Sequence, residues 1–315
     1  MLAYVTRKLL YNVPVFLGII AVLMLALRVN DPVWGKLGKH ASQEKHDEEE
    51  RRLGLDDPFH VQYFRFLWGF GLSAECWDKP GRTVGAELGD AIGPSLAITV
   101  PALILTTILS LGIGILSAYR RGRMLDRSLM GLAVVGMSIS FLVYIIFGQY
   151  FGAYKLNQWR DKPLFAIQGY DATQPLWWIT YCLLPVLIGT IVALGYDSRF
   201  YRALAVEEIN RDYIRTARSK GLSERSVLFK HLLKNAMLTV ITHVMITLPF
   251  LVEGSLLLEV FFNIPGMGKT LITAINAKDF PVIQGFTAIF AALFIASNIL
   301  TDVLYALVDP RVRLS

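Results

Sequence analysis

The sequence predicts an all-α, polytopic membrane protein with six transmembrane helices. Two features of composition and one of arrangement carry that prediction. Of 315 residues, 54% are apolar and only 18% charged, and the charges cluster so as to leave six long blocks free of Asp, Glu, Lys and Arg. Ordinary soluble domains run at about 45–50% apolar and about 25% charged. A mean hydropathy of +0.47 excludes a disordered chain, and two cysteines exclude a disulfide scaffold.

The blocks are long enough to cross a bilayer. Nineteen residues separate Lys8 from Arg28, 29 separate Asp90 from Arg120, 27 separate Arg127 from Lys155, 25 separate Asp171 from Asp197, 18 separate Lys234 from Glu253, and 22 separate Asp279 from Asp302. After Glu253 the apolar character resumes to about Phe262. A hydrocarbon core of about 30 Å needs about 20 apolar residues in a helix. Backbone groups in lipid must pair within their own segment, so the blocks are expected to be helices in spite of Pro14, Pro101, Pro185 and Pro249. Buried helices of a large soluble enzyme rarely supply six such blocks. The first block also resembles a signal peptide, with Arg7 and Lys8 ahead of it, but it is long for one. No small-x-small site follows Leu25-Ala26-Leu27-Arg28, so it reads as a retained span. The chain then divides into 1–30, an amino terminus and first span; 31–90, an outer loop; and 91–315, a five-helix core that contains the inner loop 198–236.

Basic residues set the expected orientation. With six spans and a cytoplasmic amino terminus, the inner segments 1–8, 119–127, 198–236 and 309–315 hold 17 of the 31 Lys and Arg residues. The outer loop 31–90 holds 8 basic and 12 acidic residues. That asymmetry follows the positive-inside rule and puts both termini in the cytoplasm. The net charge of +6 thus reflects topology, and no nucleic-acid partner is expected. Cys76 in the outer loop and Cys182 in the fourth block are too far apart to pair.

Within the outer loop, the charged run His40 to Arg52 suits a helix, with Ser42 as a candidate cap. Gly54 and Pro58 interrupt it, and the aromatic stretch Phe59 to Phe70 suits a membrane interface. The inner loop 198–236 is more informative. Val206, Ile209, Tyr213 and Ala217 recur at helical spacing with charged residues between them, which predicts one amphipathic helix. Gly221 can end it in the left-handed conformation, and Ser223 can cap a second helix from Glu224 toward Asn235. On spacing alone, two readings stand: a basic helix on anionic lipid, or a docking element for a cytoplasmic partner.

The run Asp212-Tyr213-Ile214-Arg215-Thr216-Ala217-Arg218-Ser219-Lys220-Gly221-Leu222-Ser223 resembles the EAA loop of binding-protein-dependent ABC importers, in the form carried by dipeptide, oligopeptide and nickel permeases. Arg215-Thr216-Ala217 replaces the general EAA triplet, as that subfamily does. Further matches are Arg52 to Pro58 with Gln62-Tyr63, Arg120 to Arg127, Leu183-Leu184-Pro185, His231 to Ala236, Glu259 to Gly268, and Asp279 to Gly285. The amino end, with Arg7 to Leu10 and Pro14, is similar to the B-type subunit.

The resemblance implies the type I ABC importer permease fold in a bacterial cytoplasmic (inner) membrane. It implies a second homologous permease subunit, two cytoplasmic ATPase subunits and an extracytoplasmic binding protein as partners, besides membrane lipid. ATP and Mg would sit on the ATPase subunits, and no cofactor on this chain. Asp212, Arg215, Thr216, Ala217, Lys220, Gly221, Leu222 and Ser223 become the ATPase-coupling loop, and the substrate a di- or oligopeptide, or nickel or another small solute within the same family. A stand-alone secondary carrier and a membrane enzyme are the readings from other classes.

Three ionisable residues stand in or beside spans, where charge is costly. Glu253 is a candidate for the translocation path, facing a cationic group such as a peptide amino terminus; an interhelical hydrogen bond is the competing reading, and the favoured one. Glu259 and Asp302 are expected near span ends. His40, His46 and His60 share the outer loop at spacings that match no metal motif, so no metal site is expected. Asn263 to Thr270 superficially resembles a phosphate loop, but Asn263 stands where the pattern needs Gly, and a tight turn is expected instead. No catalytic arrangement of nucleophile and base stands out.

Overall fold

A computed structural model describes residues 2–29, 32–37, 42–69, 71–160, 163–253 and 256–308. Among these, regular structure is helical throughout, apart from one antiparallel bridge between Glu75 and Thr83. The helices are α1 (Leu2–Arg28), α2 (Pro32–Leu37), α3 (Gln43–Arg52), α4 (Phe59–Gly69), α5 (Val84–Tyr119), α6 (Met124–Ser138), α7 (Phe141–Trp159), α8 (Trp178–Ile209), α9 (Asp212–Ser219), α10 (224–253), α11 (Leu256–Phe262), α12 (Met267–Ala277) and α13 (Phe280–Val308). Four of them, α1, α5, α8 and α13, are long and apolar enough to cross a membrane, and the bent pair α6–α7 makes a fifth. The fifth sequence block lies in α10, whose side chains from residue 248 fall outside the described residues, and it is not among those five.

The third block departs from a straight span. Its apolar run is continuous, yet Ile139 and Ser140 are extended and α6 meets α7 at 94°. A break inside a membrane helix strands carbonyls that must find partners. Tyrosine hydroxyls supply them: Tyr144 donates to the Gly136 carbonyl at 2.9 Å and Tyr196 to that of Met137 at 3.4 Å. Elsewhere π turns at 148–155, 178–182 and 227–232 keep the helices continuous.

The helices run so as to create two faces. One holds a cluster of Cys76, Val84, Leu88, Met267, Val282 and Phe286, where α5 and α13 begin. The carboxylate of Asp279 ties this face together, accepting from the Asp78 amide at 3.0 Å and that of Val282 at 3.3 Å. At the other face Lys8 pairs with Asp302, so α1 begins where α13 ends, and the described ends of the chain share that face. Helix α4 packs on the first span, with Tyr63 donating to the Leu17 carbonyl at 2.8 Å and Phe66 buried against Ile20 and Met24. Ser42 stands at the cap position of α3 without a side-chain cap bond.

Between the faces, Ile98, Ile145, Leu184, Ile188, Leu258 and Phe262 form the central core. Nearer the second face α5 and α8 approach closely at Gly114, where a Cβ would fall 2.8 Å from the backbone of Tyr201 and Arg202. Gly114→Ala is expected to force the two apart, costing about 1–3 kcal/mol. Gly112→Ala, which meets nothing within 4 Å, serves as the control. A fall in melting temperature of the purified protein for the first variant only would bear this out. A second outcome concerns Cys76, which is buried beside the carboxylates of Asp279 and Glu87; burial first, then those charges, push its thiol up to about 11. Only the thiolate attacks maleimides, so labelling at pH 7.5 is expected at least about 100-fold slower than for an ordinary thiol of pKa about 8.5, rising with pH until about 11.

Candidate functional site: an exposed helix–turn–helix

The segment 206–217 is two helices rather than the single amphipathic helix expected. Val206 and Ile209 belong to the end of α8, which stops at Ile209; Asn210 turns the chain, and α9 starts at Asp212. The second helix likewise does not stop near Asn235. It begins at Glu224 and continues to Glu253, so the turn is rooted directly in the fifth block.

Gly221 makes the turn, at φ +74°. The Leu222 amide donates to the Ala217 carbonyl at 3.4 Å and the Gly221 amide to that of Arg218 at 2.9 Å, the pair of bonds that closes a helix on a left-handed glycine. The Ser223 hydroxyl caps the next helix, accepting from the Ser226 amide at 3.4 Å. The guanidinium of Arg218 bridges the turn to both carboxylate oxygens of Glu224, at 3.0 and 3.1 Å. Tyr213 donates to Glu208 across the α8–α9 break, and burial, then that carboxylate, holds its phenol above its ordinary range.

The two sides of this knuckle differ sharply. Inward, Ile214, Ala217, Val227, Leu228 and Leu232 are buried on Ile115 and Ala118 of α5 and Ala205 of α8. Outward, Asp212, Arg215, Thr216, Lys220, Gly221, Leu222 and Ser223 are exposed. Of the eight residues singled out in the sequence, Ala217 alone faces inward, at 4% exposure. Phe229 belongs with the outward set, at 63% exposure, although the sequence offered only an aromatic residue in a basic stretch. Glu253 is not brought to the knuckle: it ends α10, and its side chain lies outside the described residues.

Three polar arrangements were missed by sequence reasoning because their members are distant in the chain. Asp126 and Arg202 form a two-pronged ion pair at 2.7 and 2.8 Å. Asp197 and His243 meet at 3.2 Å, with the His243 ring stacked on Phe200 at 4.3 Å. Glu259, expected near a span end, is fully buried at the opposite face. It accepts from the Ser95 hydroxyl at 2.6 Å, from the Lys269 amide at 3.0 Å and from the Gly268 amide. A Cβ at Gly266 would overlap its carboxylate. Two amides of the phosphate-loop look-alike, those of Gly268 and Lys269, are therefore occupied by the chain's own carboxylate. In the outer loop His46, Asp47 and Glu50 place one ligand atom each within 4.8 Å of one another, with the His46 ring stacked on Trp34. His60 is not part of that group, and His40 lies outside the described residues.

Among the described residues, an all-helical set of apolar spans carrying an exposed helix–turn–helix on a buried apolar root defines a multi-pass membrane protein. Residues 110–314 match the family described as binding-protein-dependent transport system inner membrane component, and the chain belongs to that family, the inner-membrane permease subunits of ABC importers. It is similar over its whole length to known members. A protein of Brucella suis biovar 1, provisionally named a peptide permease, is 33% identical over 321 residues covering 100% of both chains. The glutathione transport system permease protein GsiC of Salmonella paratyphi A is 34% identical over 321 residues, 99% of each. A Brucella abortus protein, provisionally named a peptide transport system permease, is 34% identical over 323 residues, also 99% of each.

The Glu259 arrangement generates its own expectation. Glu259→Ala removes the common acceptor of Ser95, Gly268 and Lys269, and each buried donor left unmet costs about 1–3 kcal/mol. The variant is expected to melt at lower temperature and to be cut faster by protease within 263–269, with no change in protease sensitivity at 212–223. Equal cleavage of variant and parent at 263–269 would show that the carboxylate does not hold the turn.

Proposed function

We propose that the chain is a B-type permease subunit that forms half of a translocation path for di- or oligopeptides. The peptides are handed over by an extracytoplasmic binding protein, and the path is driven by two cytoplasmic ATPase subunits that grip the knuckle around Gly221. A second homologous permease subunit supplies the other half of the path. The observation that carries the coupling reading is the two-sidedness of 212–223: polar and exposed outward, packed inward on α5, α8 and α10. A load applied to such an element passes into the spans rather than bending it.

The substrate reading is supported by the relatives, which are named for peptides and for glutathione, itself a small peptide. The knuckle is cytoplasmic in this reading, since 17 of 31 basic residues fall in the segments on its side of the topology. Both termini are then cytoplasmic too. ATP and Mg belong to the partner subunits in this reading, which is supported by a look-alike loop whose Gly268 and Lys269 amides are taken by Glu259.

Gly221→Pro cannot adopt φ +74°, and Arg215→Glu with Lys220→Glu reverses the exposed charge of the knuckle. Reconstituted with their partners, both variants are expected to insert normally but to lose at least about 90% of ATP-driven uptake, read as labelled peptide accumulated per ATP hydrolysed. Coupled transport at the parental level in both would sink the assignment of 212–223. Binding of di- and tripeptides, glutathione and nickel to the cognate delivery protein decides the substrate separately.

A further inference from the structure

We infer that Asp126 and Arg202 are positioning residues that carry motion of the knuckle into the broken span α6–α7. This rests on the coupling reading above. Asp126 lies in the first turn of α6 at 3% exposure. Its two carboxylate oxygens take Nε and Nη2 of Arg202 at 2.7 and 2.8 Å. They also accept from the Ser117 hydroxyl and from the Gly122 amide, the latter at 2.9 Å. One side chain therefore joins the end of α5, the 120–123 turn, the start of α6 and the lower part of α8. Arg202 stands seven residues before α8 ends at Ile209, and α9 follows within three more.

The clasp matters because it is a directional contact at the start of a helix that packs along α8. Its buried residues are Asp126 and Ala133, while Leu132 and Val135 are 68% and 59% exposed. Helix α6 nevertheless lies closely along α8, and several specific contacts mark that seam. Asp126–Arg202 is the first. Gly195 then lets the α6 backbone approach, a Cβ there lying 3.0 Å from the Ala133 carbonyl. At the far end Arg199 donates to Met137 Sδ at 3.1 Å and Tyr196 to the Met137 carbonyl at 3.4 Å. Immediately beyond, the helix breaks at Ile139 and Ser140. Helix α6 is bound to α8 at both ends and stops at a bend. In this inference, displacement of α8 carries α6 with it as far as the bend. A fork-shaped pair suits this task, since two parallel bonds fix orientation as well as distance.

The test separates transmission from simple folding. Removing one partner of a buried pair leaves an unmet charge, so single variants alone do not discriminate. Asp126→Asn/Arg202→Gln removes both charges, and Arg202→Lys keeps the charge but loses the fork. Both are measured in the full complex with its partner subunits, for melting temperature, retention of the ATPase subunits, and peptide transported per ATP. The expected result is near-parental melting and assembly with at least a fivefold fall in transport per ATP. Assembled variants that transport at the parental ratio would overturn the inference; should the double variant fail to assemble, Arg202→Lys decides alone. Failure of the underlying reading shows differently: Gly221→Pro would then couple normally, or the parental complex would not hold its ATPase subunits.

Discussion

Hydrocarbon gives no hydrogen bonds, so backbone freed inside a span needs a partner from the protein, and the described turns at span ends are closed in the same way. Wherever a helix stops or bends, the freed backbone groups must be met by something the protein itself provides. At the bend between α6 and α7 two tyrosine hydroxyls meet the Gly136 and Met137 carbonyls. At the turn after α11, one carboxylate collects the amides of Gly268 and Lys269. At Gly122 the amide goes to Asp126, and at Gly221 the turn closes on its own carbonyls. Each break is stable because a particular side chain or a left-handed glycine satisfies it, and each is therefore a place where sequence change alters geometry rather than surface alone.

The knuckle shows how packing fixes an exposed turn to the spans. A helix–turn–helix on a flexible tether could bind a partner but could not move a bundle. Here α9 is short, eight residues, too short to be stable alone. Its stability comes from Ile214 and Ala217 seated on α5 and α8, and from the continuity of α10 with the fifth block. The outward face is left free to be polar because the inward face does the holding. Exposed polar face and buried apolar face are thus opposite sides of the same eight residues.

Much of this was legible in the sequence, and the rest failed for definite reasons. Block lengths announced the spans because burial in lipid leaves an unbroken apolar record. Gly221 and Ser223 announced the turn because left-handed φ and side-chain capping each need particular residue types. The break at Asn210 stayed hidden, since Val206, Ile209, Tyr213 and Ala217 keep helical spacing straight through it. The bend at Ile139 stayed hidden for the same reason: apolar composition continues across it, and its supports, Tyr144 and Tyr196, look like ordinary span residues. Asp126 and Arg202 lie 76 residues apart, and Ser95 and Glu259 164 apart; a pairing at that separation leaves no local pattern.

Energy conversion across such a subunit depends on where compliance lies. ATP bound elsewhere can shift this chain between two states only by favouring one of them, and the preference must survive passage through every contact on the way. Apolar packing around Ile214 transmits push well, because interiors are close-packed and resist compression. It transmits rotation and pull less well, since apolar contacts lack direction. Directional bonds appear where the load would change element: Tyr213 to Glu208 at the α8–α9 break, Arg218 to Glu224 across the turn, and Arg202 to Asp126 at the root of α6. The bend at Ile139 and Ser140 lies away from the knuckle and is itself held by Tyr144 and Tyr196. In the proposed coupling, such directional joints near the knuckle would let a small movement at its base reposition a span.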